Sequence, residues 1–151
     1  MSDLAPRKLV LASDHAGFAL KEYLKKALAS WGIEVDDLGT HDEASVDYPD
    51  YAHRLAESVI AGHHDMGLLV CGTGLGMSMA ANRHRGIRAA LCTDGYQAQM
   101  ARLHNDANVL CLGSRVLGTG LAEDILRSFI ATSFEGGRHG RRVDRIEVSR
   151  S

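Results

Sequence analysis

Short, continuous apolar runs alternate along this chain with longer segments in which apolar residues recur at helical spacing. The run MGLLVC at 66–71 is apolar throughout, which is typical of a central strand buried on both faces. Strands that alternate with helices predict a parallel sheet with helices on both sides. We therefore predict one three-layer α/β/α domain over residues 1–151, built on a five-stranded parallel sheet. The predicted strands are 8–13, 33–38, 66–71, 87–92 and 109–112, and the predicted helices are 16–30, 49–62, 76–83, 95–104 and 121–134.

Composition excludes several classes of protein. Hydrophobic residues make up 45% and charged residues 24% of the chain, which argues against disorder. With a net charge of −2, the chain lacks the broad positive potential that non-specific nucleic-acid binding requires. No apolar run approaches the roughly 20 residues of a membrane span, and the N-terminus does not resemble a signal peptide. The three cysteines include no CxxC pair. We expect a cytoplasmic protein with no nucleic-acid or membrane partner.

A glycine-rich loop, Cys71-Gly72-Thr73-Gly74-Leu75-Gly76, follows the third strand directly. In Rossmann-like sheets, ligands bind beyond the carboxyl ends of the strands, so this loop is a candidate site. A dinucleotide fingerprint would need glycine at position 77, which is Met77, and a P-loop would need a lysine. The loop therefore predicts a nest of backbone amides for an anion, with Cys71 as a base or nucleophile beside a helix start. The alternative is a buried cysteine next to a tight turn.

Four other junctions carry polar side chains. Asp14-His15 follows the first strand and supplies a carboxylate and an imidazole, although Asp14 alone would be an ordinary helix cap. Tyr48, before Pro49, either closes the cleft or packs against the fold. His104-Asn105 precedes the fifth strand, and Arg115 follows it. We expect Asp14 and His15 to face the same cleft. His104 is a candidate general acid or base near neutral pH; the alternative for His104-Asn105 is an ordinary turn.

The C-terminal segment 135–151 is basic and is predicted to be helical in part. Arg138 and Arg142 are four residues apart, so they share one face of a helix. This face either binds a phosphate or is a solvated basic surface. The sequence His63-His64-Asp65 resembles a metal cluster, but it precedes the third strand and we interpret it as an exposed loop. The remaining histidines at 41, 53 and 84 have no evident partner.

Taken in order, these stretches resemble the type B ribose-5-phosphate isomerase family, also called the ribose/galactose isomerase family. The matching segments are SDHAGFALK, DLGT, DYPDYA, VCGTGLGMSMAANR, GIRAA, HNDANVLCLGSRV and FEGGRHGRRV. They span nearly the whole chain. One branch of the family lacks the cysteine and uses a glutamate later in the glycine loop, where this chain has Met77, so the cysteine branch fits.

The resemblance implies a role for each catalytic position. Cys71 would move a proton between C1 and C2 of the open-chain sugar, and Asp14 would relay protons between the sugar oxygens. The amides of 72–76 would stabilise the enediolate oxygen, a contribution of ~3–4 kcal/mol per donor. His104 would open the furanose ring, with Thr73 nearby.

The resemblance also implies the substrate contacts and the assembly. The positions at the substrate would be His15, Tyr48, Gly72, Gly74, Leu75, Gly76, Asn105, Arg115, Arg138 and Arg142, of which His15 and the three arginines would hold the phosphate. The family shares its sites across a homodimer interface, so the resemblance implies that His104, Asn105 or some of the arginines serve the neighbouring subunit. We expect a homodimer or a tetramer, with segment 135–151 docked on the partner subunit.

The expected reaction is therefore the interconversion of ribose 5-phosphate and ribulose 5-phosphate in the pentose phosphate pathway. A hydride shift would need a metal, and the sequence offers no convincing ligand set, so we expect no metal and no cofactor. Three alternatives stay open: the same chemistry on galactose 6-phosphate, allose 6-phosphate or a tetrulose phosphate; a non-catalytic phosphate-ligand binder; and a cysteine hydrolase with Cys71 as nucleophile. The combination of Cys71 with His104 argues against a pure binder.

Overall fold

The computed structural model describes residues 8–149. The strands are β1 (Leu9–Ser13), β2 (Val35–Asp37), β3 (Met66–Cys71), β4 (Ala89–Leu91) and β5 (Val109–Gly113). The helices are α1 (Phe18–Ser30), α2 (Tyr48–Ile60), α3 (Leu75–Ala81), α4 (Gly95–Asn105), α5 (Thr119–Ala131) and α6 (Arg138–Val143). Each predicted strand and helix is present, and α6 is formed by the basic C-terminal segment.

The strands form one parallel sheet in the order β2-β1-β3-β5-β4. β3 lies at the centre, as its unbroken apolar run predicted, because both of its faces are covered and both of its edges are paired. The winding direction reverses between β1 and β3, since β2 lies on one side of β1 and all later strands lie on the other. The five-stranded parallel α/β prediction is confirmed, and the switch point falls between β1 and β3.

The helices cover both faces of the sheet. Leu68 and Val70 of β3 pack into a core that includes residues of α1, α4 and α5. The alternate residues Leu69 and Cys71 pack into a second core with residues of α2 and α3. This alternation places Cys71 on the side of the sheet from which α3 continues. None of the helices in the described range is long and apolar enough to span a membrane.

The two edge strands are shorter than predicted. β2 contains Val35–Asp37 and β4 contains Ala89–Leu91, whereas the apolar pattern predicted 33–38 and 87–92. An edge strand has one neighbour, so its ladder ends wherever that neighbour diverges. Ile33 and Ile87, at the predicted starts, are still buried but contribute to the cores from outside the ladders.

The parallel sheet gives the molecule a carboxyl edge, where the strands end, and an amino edge, where they begin. β4 ends at Leu91, α4 runs from Gly95 to Asn105, and β5 begins at Val109. An 11-residue helix is about 16 Å long, so α4 carries the chain from the carboxyl edge back to the amino edge. His104, in the last turn of α4, is therefore at the amino edge, opposite the edge at which β3 ends with Cys71.

Candidate functional site

Cys71 is the last residue of β3 and lies 5% exposed at the carboxyl edge. The Gly74 N–H donates a hydrogen bond of 3.2 Å to the Cys71 Sγ, so the loop folds back over the thiol. Gly74 makes this turn with φ of +81°, a left-handed conformation that favours glycine. An amide donor aimed at the sulfur suits a thiolate, which accepts hydrogen bonds.

Asp14 extends from β1 beside Cys71, because Ser13 pairs with Val70 in the parallel register. The backbone N–H of Asp14 donates to the Val70 carbonyl at 3.3 Å, and the Asp14 carboxylate accepts from the Gly17 N–H at 3.0 Å. Asp14 is 7% exposed, and its carboxylate closes the turn that precedes α1, whose N-cap is Gly17 without a side-chain cap. Asp14 therefore combines a local turn contact with a position next to Cys71 in the parallel register.

His15 is half-buried and points to the loop that precedes α2. Its Nδ1 accepts a hydrogen bond of 3.2 Å from the Val46 N–H. A neutral imidazole that accepts at Nδ1 carries its proton on Nε2, which leaves that nitrogen as a donor for another group. The contact also fixes the position of the loop that leads to Tyr48.

Tyr48 begins α2, with Pro49 in the first turn, and its ring lies against Gly76 in the first turn of α3. A Cβ at Gly76 would lie 2.3 Å from Tyr48 Cε1 and 2.9 Å from its Oη. Glycine at position 76 therefore permits the phenol to sit over the glycine-rich loop. Tyr48 remains 40% exposed, so its ring is accessible at the mouth of this site.

Arg115 follows β5 and lies beside the same loop. The Arg115 N–H donates to the Gly72 carbonyl at 2.9 Å, and its Nη1 would be 3.1 Å from a Cβ at Gly72. Thr73 is exposed, and its Oγ1 accepts from the Leu75 N–H at 3.3 Å. The carboxyl edge of one chain thus brings together Asp14, His15, Tyr48, Cys71, Thr73 and Arg115, which we call the carboxyl-edge group.

A second set of predicted site residues lies at the amino edge. His104 and Asn105 end α4, and the imidazole of His104 stacks on that of His139 in α6, with ring centroids 4.2 Å apart. Arg138 and Arg142 are on the same short helix. We call His104, Asn105, Arg138 and Arg142 the amino-edge group. The structure does not bring this group to Cys71 within one chain.

The arginines of both groups are available for an anion. Within residues 8–149, no carboxylate lies within ion-pair distance of Arg115, Arg138 or Arg142. All three are exposed. Guanidinium groups without a carboxylate partner fit the predicted phosphate contacts, because their charge is uncompensated inside the chain.

The sequence interpretation missed three histidine contacts. His139 is 6% exposed and stacks on His104, and burial together with the neighbouring His104 lowers the pKa of His139. His53 and His84 share a hydrogen bond of 2.7 Å between their rings. His64 is buried, so the prediction of an exposed loop is wrong for this residue. The only sequence signal for His139 is its position between Arg138 and Arg142, the two predicted phosphate contacts of this segment.

The His64 ring has a structural partner on each side. Its Nδ1 is 2.5 Å from Ser58 Oγ, and its Nε2 is 2.6 Å from an Asp36 carboxylate oxygen. These contacts connect the end of α2 to β2 at the amino edge. Long-range pairs of this kind leave no periodic signal in the sequence, so the partners of His64 could not be predicted from it.

The other two cysteines are unsuited to acid–base chemistry. Burial raises the pKa of the Cys92 thiol to about 11 and raises that of the fully buried Cys111 further. Met77 is also fully buried, in the α2/α3 core, and offers no ionisable group. Of the three cysteines, Cys71 is the one whose thiol contacts the glycine-rich loop.

The C-terminal segment contacts its own chain in this structure. Glu135 donates its N–H to the Leu103 carbonyl at 3.1 Å, and the Glu147 carboxylate accepts from the Gly86 N–H at 2.8 Å. Arg85 Nη1 donates to the Val148 carbonyl at 3.3 Å. Docking of segment 135–151 on a partner subunit stays a prediction.

Comparison with known proteins gives a consistent result. The sequence model of one family, described as Ribose/Galactose Isomerase, matches residues 9–146. Ribose-5-phosphate isomerase B of Escherichia coli is 46% identical over 140 residues, which cover 93% of this chain and 94% of that protein. A putative sugar phosphate isomerase of Bacillus subtilis is also 46% identical over 140 residues, covering 92% and 94%.

Solved structures agree in fold. Ribose 5-phosphate isomerase of Thermotoga maritima is 54% identical, with a TM-score of 0.91 over 93% of this chain and 97% of that chain. Ribose-5-phosphate isomerase B of Clostridium thermocellum is 51% identical, with a TM-score of 0.91 over 92% and 94% of the two chains. The matches in sequence and fold extend over nearly the whole molecule, and the chain is an enzyme that belongs to the ribose/galactose isomerase family.

Proposed function

We propose that this enzyme interconverts ribose 5-phosphate and ribulose 5-phosphate by proton transfer through an enediolate, with Cys71 as the base. The observation that carries the proposal is the placement of the Cys71 sulfur under the Gly74 N–H, with Asp14 on the adjacent strand. A carbon acid next to a carbonyl needs a base, a resting place for the enolate charge and a handle that holds the substrate. The carboxyl-edge group supplies the first two and part of the third.

The proposed steps balance in atoms and charge. The Cys71 thiolate removes the proton from C2 of the open-chain aldose, and the electron pair moves to O1 to give the enediolate. Asp14 then transfers the O2 proton to O1, and the Cys71 thiol returns its proton to C1. The product has a ketone at C2 and a hydroxymethyl group at C1. Loop amides stabilise the enediolate oxygen while it is charged.

We propose that the active unit is a homodimer in which each site combines the carboxyl-edge group of one subunit with the amino-edge group of the other. The support is topological, because α4, about 16 Å long, carries the chain from the carboxyl edge to the amino edge, where the second group lies. His104 of the second subunit opens the furanose ring, and Arg138 and Arg142 join His15 and Arg115 at the phosphate. A two-fold axis makes two such sites equivalent.

The biological setting follows from this reaction. Pentose phosphates are intermediates of the pentose phosphate pathway, so we place the enzyme there and in the cytoplasm. The matched relatives named ribose-5-phosphate isomerase B support this choice of sugar over galactose or allose phosphates.

The first experiment measures turnover of ribose 5-phosphate in excess EDTA for wild type, Cys71→Ala and Cys111→Ala. Cys111 is a matched control, since it is a buried cysteine on the same face of the sheet. We expect wild type and Cys111→Ala to be active, and Cys71→Ala to lose at least about 10²-fold in kcat, as expected for a general base. Solvent deuterium in the recovered sugar would support proton transfer over a hydride shift.

Each other outcome has a definite meaning. Full activity in Cys71→Ala would contradict the role of Cys71, and activity abolished by EDTA would contradict a metal-free reaction. A wild type that is inactive on ribose 5-phosphate but active on galactose 6-phosphate, allose 6-phosphate or a tetrulose phosphate would change the substrate and retain the mechanism. A covalent thioester or similar adduct at Cys71 would favour a hydrolase.

A further inference from the structure

Three side chains at the amino edge converge although the proposed reaction uses only one of them. One ligand-type atom from each of His104, Glu135 and His139 lies within 4.8 Å of the others. His139 Nε2 and a Glu135 carboxylate oxygen are 3.9 Å apart. Among residues 8–149 this is the one group of three or more histidine, cysteine or acidic side chains with such spacing.

The backbone holds the three residues in this arrangement. Glu135 is tied to α4 by the hydrogen bond from its N–H to the Leu103 carbonyl, next to His104. His139 is buried and stacked on His104, with the two rings 13° from parallel. Glu135 and His139 are four residues apart. A cation at this place would therefore meet two imidazoles and a carboxylate whose ligand atoms already lie within 4.8 Å of one another.

The electrostatic setting selects the type of cation. The carboxyl end of α4 carries partial negative charge, and Glu135 adds a full one, both of which favour a cation. Arg138 and Arg142 are close enough to lower the pKa of His139, so their positive charges oppose the binding of a cation. A hard cation such as Mg²⁺ prefers oxygen ligands and gives up its water reluctantly, so two imidazoles and one carboxylate bind it poorly. Zn²⁺ and its neighbours bind imidazole nitrogen strongly, and two histidines with one glutamate form a known zinc ligand set.

We propose that His104, Glu135 and His139 form a binding site for a divalent transition-metal ion of the Zn²⁺ type, and that occupation of this site inhibits the isomerase. Inhibition rests on the proposed function, since a metal bound to the ring nitrogen of His104 prevents that nitrogen from transferring a proton to the sugar. Binding itself depends only on the three side chains.

Other histidine and cysteine side chains among residues 8–149 compete for such an ion. The Cys71 thiolate is a soft ligand, and the His53–His84 pair has two ring nitrogens 2.7 Å apart. The tests must therefore separate a thiolate site and a two-histidine site from the proposed one. Glu135 is the informative position because it belongs to neither competitor and is 57% exposed, so its substitution leaves the core intact.

The binding experiment titrates the full-length protein with Co²⁺ and records its visible absorption. Variants are Glu135→Gln, His139→Asn, His84→Gln and the control Glu123→Gln, which alters a partly exposed acid on α5. We expect tetrahedral Co²⁺ bands without a thiolate charge-transfer band. Glu135→Gln and His139→Asn should weaken affinity by at least about tenfold, because even outer-shell partners of metal ligands contribute that much. His84→Gln and Glu123→Gln should bind like wild type.

The second experiment measures Zn²⁺ inhibition of ribose 5-phosphate turnover and its reversal by EDTA. Glu135→Gln should retain wild-type activity without metal and need at least about tenfold more Zn²⁺ for half-inhibition. Equal sensitivity of Glu135→Gln and wild type, a thiolate band, or loss of binding in His84→Gln would overturn the proposal. Normal Co²⁺ binding with no turnover on any sugar phosphate would leave the metal site standing and refute the proposed function instead.

Discussion

Cys71 and His104 lie at opposite edges of the same sheet. Cys71 is at the end of β3, whereas His104 is in the last turn of α4, which leads to the start of β5. The helix that leads back to His104 is about 16 Å long, so side-chain rotation does not bring the two residues together within one chain. If both residues act on one sugar, they must come from different subunits.

Mixed dimers test this arrangement directly. Cys71→Ala and His104→Gln are each expected to be nearly inactive alone. After equal amounts are unfolded together and refolded, half of the dimers are hybrids, and each hybrid has one intact site and one doubly altered site. Activity should therefore return to about one quarter of wild type, as two-fold symmetry requires.

The matched control for this recovery mixes Cys71→Ala with Tyr48→Ala. Both of those positions belong to the carboxyl-edge group, so every hybrid site carries one of the two changes and activity should stay low. Recovery in the control, or its absence in the test mixture, would contradict the shared site.

Gly76→Ala should reduce activity with little effect on stability. The new Cβ would lie 2.3 Å from Tyr48 Cε1, so the exposed ring must move off the glycine-rich loop. We expect kcat/KM to fall by about 10²-fold, the effect of a displacement near 1 Å in a catalytic site. The free energy of unfolding should change by less than about 1 kcal/mol.

Gly120→Ala is the control for that substitution, since a Cβ there meets no atom within 4 Å. It should keep full activity. The double variant with Gly76→Ala and Tyr48→Ala should be about as active as Tyr48→Ala alone. If the two losses of activity add, the glycine acts independently of the tyrosine.

Asp37→Asn should destabilise the fold by about 3 kcal/mol. The ammonium of Lys21 is fully buried and lies 2.6 Å from the Asp37 carboxylate, while Lys25 is 2.8 Å from it. Removing the carboxylate leaves a buried charge with only a longer contact, to Glu22 at 3.3 Å. Urea unfolding of wild type, Asp37→Asn and the exposed control Glu34→Gln measures the difference.

Acidification should remove this difference. Burial of Asp37 opposes ionisation, but hydrogen bonds from Lys21, Lys25 and the Gly39 N–H lower its pKa below the ordinary 3.8. A group whose pKa is lower in the folded state stabilises the fold fully above its unfolded pKa and loses that contribution as pH falls through the folded value. The stability gap between wild type and Asp37→Asn should therefore be constant near neutrality and shrink below about pH 3.8. A gap that grows on acidification would contradict the assignment.

Alkylation of the native enzyme should modify one thiol per chain, at Cys71. Burial raises the pKa of Cys92 to about 11 and that of Cys111 further, so both remain protonated and poorly nucleophilic at neutral and mildly alkaline pH. Intact mass and peptide mapping after brief exposure to iodoacetamide measure the result. Prior saturation with ribose 5-phosphate should slow the reaction, whereas faster labelling at Cys92 would show that the thiol environments are assigned wrongly.

The local features of the site were predictable because each depends on neighbours in the chain. An apolar run ending in Cys71-Gly72-Thr73-Gly74 encodes a buried strand and the turn after it, and Asp14-His15 follows β1 in the same way. Parallel pairing of β1 with β3 then places Asp14 and Cys71 side by side. Strand order was out of reach, because β5 enters the sheet between β3 and β4, against the order of the sequence.

Alternating apolar patterns, glycine-rich turns and ordered motifs thus determined the parallel α/β architecture, the position of Cys71 at the glycine-rich loop, and the family. The tertiary structure alone decided which of these residues meet. It separated His104 from Cys71, stacked His104 on His139 beside Glu135, and paired Lys21 with Asp37. The physical reason is that sequence periodicity reports the environment of one residue at a time, whereas contacts between distant residues depend on how the elements pack.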